Sequence, residues 1–253
     1  MRKTLFIFLS TFLLSCNDVV NLNENSHQKE NQESRSDMAT ECYSFEFPSI
    51  QWNMLDTHEQ KVAACEIPDS ILPTISTEEL VDICMKYPLI LDVYAFDSPL
   101  EGIKHIVSQF NGFVELMKRK DNCICMLKYL QENQMKEISV HSFTEIEKGR
   151  FLLIYSLGEY LLSLEDVMKN ATSDIKKEIA TLAQKNLDTK ENGNDYALND
   201  LASSTFLWAS ALSIDKKLSR TSNEVLETFL KNGIILNYKD FLEIKMMCST
   251  YKN

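Results

Sequence analysis

Phe151-Leu152-Leu153-Ile154-Tyr155-Ser156-Leu157-Gly158-Glu159-Tyr160-Leu161-Leu162 is the stretch that decides the fold class. Laid on a helix it is hydrophobic almost all round, the pattern of a helix that neighbours cover on most sides. Interrupted by Glu159, it falls short of the roughly 20 apolar residues that a spanning helix needs. It is therefore expected to be the central helix of a folded domain. Ser142 to Glu145, just upstream, has the spacing of a capping box, in which a hydroxyl accepts an N–H three residues on and the acid reaches back.

Downstream, helical periodicity continues. Ile175, Ile179, Leu182 and Ala183 form one stripe, and Leu198, Leu201, Ala202, Thr205, Phe206 and Ala209 a second. Val225 with Phe229 and Leu226 with Leu230 make a third before Asn232-Gly233, and Phe241, Leu242, Ile244 and Cys248 a fourth. Asn192-Gly193-Asn194 marks a loop. Upstream, all five prolines (Pro48, Pro68, Pro73, Pro88, Pro99) cut the chain into short helices. Ser76 to Glu79 reads as a capping box for a helix through Leu80, Val81 and Cys84. Ser98-Pro99-Leu100-Glu101 starts another, with Leu100, Ile103, Val107 and Phe110 as its stripe and Asn111-Gly112 as a cap or kink at its end. A further helix carries Cys123, Met126, Leu127 and Leu130. Cys42 to Phe47 alternates weakly, enough for a short extended segment before Pro48. Strand-like runs are otherwise scarce and no fixed repeat is visible. The expected fold is all-α, an irregular multi-helix bundle or a short α-superhelix.

The N-terminus has a different composition. Arg2 and Lys3 precede the apolar run Leu5 to Leu14, and polar Asn17-Asp18 follows at once, which is the layout of a secretory signal. Leu13-Leu14-Ser15-Cys16 resembles the lipobox of bacterial lipoproteins. That resemblance implies cleavage before Cys16 and acylation of Cys16 with palmitate-type chains. Residues 1–15 are then a lipoprotein signal peptide. Residues 16–40, rich in Asn, Glu, Gln, Ser and Lys, form a lipid-anchored tether too polar to offset its own ordering entropy. Residues 41–253 form a single helical domain. The expected location is the cell envelope, on the outer membrane.

The full chain carries 26 basic and 37 acidic residues, a net charge of −11. Loss of Arg2 and Lys3 with the signal leaves 24 against 37, or −13. Such a surface repels phosphate, so nucleic acid is not expected as a partner. Besides Cys16 there are six cysteines, Cys42, Cys65, Cys84, Cys123, Cys125 and Cys248. They allow about 15 disulfide connectivities, among which sequence cannot choose. Cys84 and Cys248 lie on apolar stripes, where a thiol behaves as a small hydrophobe, and mostly buried free thiols are expected.

Catalytic motifs are missing. Six widely spaced glycines leave no dinucleotide fingerprint and no P-loop, and there is no Gly-x-Ser-x-Gly elbow. His58-Glu59-Gln60-Lys61-Val62 begins like a zincin helix but has Val62 where the second histidine belongs. Cys123-Ile124-Cys125 would place its thiols on nearly opposite sides of a helix, so one metal ion would not reach both. No cofactor and no metal site is expected, and no catalytic residue is assigned. Trp52 and Trp208 are either core or, if exposed, anchors for a partner or glycan. An enzyme would need Cys65, His105 or His141 to meet nearby acids in space, which spacing does not reveal.

One further run is informative. Ser76-Thr77-Glu78-Glu79-Leu80-Val81, Cys84, Tyr87-Pro88-Leu89, Asp92, Asn111-Gly112-Phe113, Glu115-Leu116 and Arg119-Lys120-Asp121 resemble a helical segment found in exported, often lipid-anchored bacterial proteins of uncharacterised function. The resemblance covers about a third of the chain and transfers no catalytic residue. Its polar positions also read as caps and turns, with Arg119 at a helix end. The function expected is a lipid-anchored envelope protein that binds or assembles with a partner, an envelope protein or a glycan. The alternative is an envelope hydrolase.

Overall fold

Polar side chains at the helix starts divide the chain as the sequence suggests. The computed structural model describes residues 45–47, 52–134, 143–169, 171–193, 196–215, 218 and 223–251, all within the compact unit Cys42–Asn253. In order, the helices are α1 (His58–Ala64), α2 (Thr77–Met85), α3 (Pro99–Gln109), α4 (Asn111–Lys118), α5 (Asn122–Glu132), α6 (Glu145–Ser163), α7 (Glu165–Met168), α8 (Ser173–Asn192), α9 (Leu198–Ile214), α10 (Glu224–Asn232) and α11 (Tyr238–Ser249). Short 3-10 turns at Trp52–Met54, Leu72–Thr74 and Ile90–Ala95 join them, and no strand occurs among the described residues. The fold is all-α.

Ser76 accepts from Glu79 N–H, and Ser98 from Glu101 N–H with Pro99 at the first helical position. Gly233 closes α10 at φ +77°, a left-handed conformation open to glycine at no steric cost. Two expected boundaries shift. The box that opens α6 is Thr144 with Glu147, two residues beyond the one expected, whose Ser142 lies outside the described residues. Asn111-Gly112 does not end α3; Phe110, in extended conformation, separates α3 from α4, which begins at Asn111. The Asn111 amide is held by the backbone of Ile67, accepting its N–H at 3.0 Å and donating to its carbonyl at 2.7 Å.

The core centres on α9, and this corrects the expectation that α6 would be the central helix. Every residue from Leu201 to Ser213 is buried, Trp208 among them, and α9 packs most extensively on α8 and then on α6. Its small residues, Ser203, Ser204, Thr205, Ala209, Ser210, Ala211 and Ser213, carry little hydropathy, yet they let neighbouring helices approach closely on every side. Helix α6 is buried continuously only from Leu157 to Ser163; its first half is partly open. Leu242, expected to face the core from α11, is 47% exposed.

The segment from Ser76 to Asp121 is tied by polar clamps. Thr77 Oγ1 donates to Asp121 Oδ1 at 2.8 Å. Arg119 pairs with Glu115 at 2.7 Å and donates to the carbonyls of Leu72 and Ile75. One planar guanidinium thus ties Glu115 of α4 to the backbone of the 3-10 turn at Leu72–Thr74 and to Ile75 just after it. These side chains hold the scaffold.

Candidate functional site: a cavity beside a buried ion pair

Helix α6 divides lengthwise into two environments. Its inner face carries Tyr155 and Glu159, one turn apart, opposite Asn186 and Lys190, one turn apart on α8. Glu159 and Lys190 have no solvent-accessible side-chain surface and pair at 3.0 Å. The carboxylate is saturated. Oε1 accepts from Asn186 Nδ2 at 3.0 Å and Ser204 Oγ at 2.6 Å; Oε2 accepts from Lys190 Nζ at 3.0 Å and Ser203 Oγ at 2.6 Å. Four donors meet the four lone-pair sites of a carboxylate. The second Asn186 N–H goes to Tyr155 Oη at 2.9 Å, and the Tyr155 hydroxyl donates to Leu130 O at 3.1 Å. Burial, with the Glu159 charge adding to it, pushes the Tyr155 phenol far above its usual range, so it stays a donor.

The outer side of α6 borders a cavity of about 400 Å³. Leu152, Leu153, Ser156 and Leu157 line it from α6, Val93, Tyr94 and Phe96 to Pro99 from the segment entering α3, Asn199, Asp200 and Ala202 from the start of α9, and Gly233 to Ile235 from the turn after α10. The volume lies in the range of roughly 300–1,000 Å³ usual for small-molecule sites, as does the combination of apolar walls with few polar groups. Tyr160 fixes one wall by donating to Gly233 O at 3.0 Å. Leu91, Tyr94 and Phe96 of the 90–97 segment are exposed, the last two also lining the cavity.

Ser156 joins the two environments. Its Oγ lies 3.1 Å from Ser203 Oγ. Ser203 has a single hydroxyl proton, and the charged acceptor Glu159, at 2.6 Å, holds it. Ser203 therefore accepts from Lys190 Nζ at 3.1 Å and from Ser156, whose own oxygen keeps its lone pairs at the cavity wall.

The residues singled out from sequence are dispersed. Cys65 is fully buried, and burial pushes its thiol up to about 11, so at neutral pH it is not a thiolate. His105 lies on α3 with its ring 4.7 Å from that of Phe96, and no hydrogen bond joins Cys65 to a histidine among the described residues. His58 approaches Asp92 at 3.5 Å near the surface. Cys123 and Cys125 are both buried while Ile124 between them is 55% exposed, and no three His, Cys, Asp or Glu side chains converge as a metal set among the described residues. Cys65, Cys84, Cys123, Cys125 and Cys248 are free, buried thiols. Trp52 is half-buried beneath the Lys61 ammonium, 5.9 Å from its ring. Cys16, Cys42 and His141 lie outside the described residues.

In the sequence Glu159 stands as an interruption of an apolar run, and the cavity leaves no local mark. One signal was present: a lone acid in an apolar helix, with Tyr155 one turn before it. Compared with protein-family models, curated proteins and solved structures, the chain matches none of them. Fold and site define an all-α protein with a small-molecule-sized cavity beside a saturated buried ion pair. No helix among the described residues is long and apolar enough to cross a membrane.

Proposed function

We propose that this chain is a lipid-anchored envelope protein that works as a binding module, held to the outer membrane through Cys16 and binding its ligand in the cavity beside α6. The cavity is the observation that carries the binding half: a site of about 400 Å³ with mostly apolar walls. The leader from Arg2 to Cys16 carries the anchoring half. A tether of residues 16–40 gives the domain reach from the membrane to an envelope protein, a glycan or a smaller ligand. The hydrolase reading draws no support from Cys65, which is enclosed and protonated.

Intact-mass measurement and membrane fractionation of the wild-type and Cys16→Ala proteins test the anchor. Wild type should start at Cys16, carry acyl chains and sediment with outer membranes, and the variant should not. An unacylated wild-type chain, or unchanged sedimentation of the variant, would overturn the anchored reading. Capture from crosslinked cells, with Cys16→Ala as control, then reports whether an envelope protein is held in near-stoichiometric amount at the membrane.

A further inference from the structure

We propose that the cavity takes a primary alkylammonium: an apolar chain in the walls formed by Leu152, Leu153 and Leu157, with its charged amino group against Ser156, Asp97 and Asp200. The inference rests on the reading of the cavity as the binding site and names what it binds. Proton bookkeeping sets the polarity. Because Glu159 holds the Ser203 proton and Ser156 donates to Ser203, the cavity meets Ser156 as an acceptor. Asp97 and Asp200 add two carboxylates to the lining, while no Lys, Arg or His belongs to it.

Two helix starts also border the cavity, and helix N-termini attract anions. Here carboxylate and hydroxyl oxygens already take one N–H at each: Ser98 Oγ accepts Glu101 N–H at 3.2 Å, and Asp200 Oδ2 accepts Ala197 N–H at 2.7 Å. Asp200 is itself the anion at the start of α9. Ser98 and Asn199 are neutral and can accept as well as donate, so the two carboxylates decide the sign of the site. An ammonium supplies three N–H donors to oxygens that would repel a carboxylate or phosphate.

The test titrates hexylamine, hexanoate, hexanol and hexyltrimethylammonium into the full chain held in phosphatidylcholine nanodiscs, by calorimetry with empty nanodiscs as reference. Hexylamine should bind saturably and about tenfold more tightly than the other three probes. Asp97→Asn, which keeps the shape of an exposed side chain, should weaken it about three- to fivefold. Gly149→Leu should abolish it without harming the fold, because a Cβ at Gly149, which lines the cavity, meets nothing within 4 Å. Tighter binding of hexanoate or hexanol would overturn the ligand class while leaving the cavity a binding site. Equal binding of hexyltrimethylammonium would remove the hydrogen-bonding role of Ser156. No saturable binding by any probe, or binding indifferent to Gly149→Leu, would overturn the cavity reading as well.

Discussion

The two sides of α6 invert the usual distribution of polarity. Where the helix is sealed against α8 and α9, it carries a full ion pair, and where it borders the cavity it presents leucines. A buried ion pair is a poor source of net stability, because desolvation of both charges offsets most of their attraction. It is a strong source of position, since each donor around Glu159 has one place to be. The leucine side makes the opposite trade. It leaves apolar surface beside a cavity, which costs burial and is useful when a ligand fills it. The sealed side holds α6, α8 and α9 in register so that the open side keeps its shape.

The largest effect should come from breaking the sealed side. Glu159→Ala leaves the Lys190 ammonium buried without its partner and should cost about 3–5 kcal/mol in a denaturant titration. The double variant Glu159→Leu/Lys190→Met should recover most of that loss. If the single substitution were harmless, the pair would not be dry, and the contrast between the two sides would fail.

Next come two glycines in unlike surroundings, Gly102 packed against Val93 and Gly149 on the cavity lining. At Gly102 an added Cβ would lie 2.2 Å from Val93 O, so Gly102→Ala must push α3 away from the 90–95 turn, at about 1–3 kcal/mol. At Gly149 the added methyl meets nothing, and Gly149→Ala should stabilise by about 0.5–1 kcal/mol through helix propensity. The same substitution thus takes opposite signs, readable as shifts of the thermal midpoint.

The smallest effect at neutral pH, growing only in alkali, concerns the thiols. Burial pushes Cys65 and Cys123 up to about 11 and Cys248 up to about 12, from an ordinary value of 9.0. Between pH 9 and 11 the folded chain therefore holds protons that the unfolded chain has released, and stability falls as pH rises through that window. Below about pH 8 these thiols should add no slope. Thiolate absorbance followed beside the unfolding curve checks the sign.

Much of the helical plan was legible because it is local. Ser76, Ser98 and Asn232-Gly233 each announce a boundary within four residues, and the stripes of α2, α3, α8 and α10 repeat at helical spacing. Thr144 was hidden by Ser142, since both stand three residues before a glutamate. The centrality of α9 was hidden by its serines and alanines, whose burial comes from close packing and not from hydropathy. The site was illegible because it is assembled at long range. Glu159 meets Lys190, Ser203 and Ser204 across 31 to 45 residues, and the cavity draws on four separate segments. In the Ser76 to Asp121 run Ser76 caps α2 as its local spacing suggested, whereas the clamps from Thr77 to Asp121 and from Arg119 to Leu72 and Ile75 span 44 to 47 residues, and Asn111-Gly112 opens α4 where a turn was expected.

Amide hydrogen exchange along α6, with and without hexylamine, tests the contrast most directly. Amides of residues 157–163 should exchange only with global unfolding, while those of residues 149–156 should exchange sooner and gain protection when hexylamine binds. Uniform protection along the helix, unchanged by the amine, would contradict that contrast.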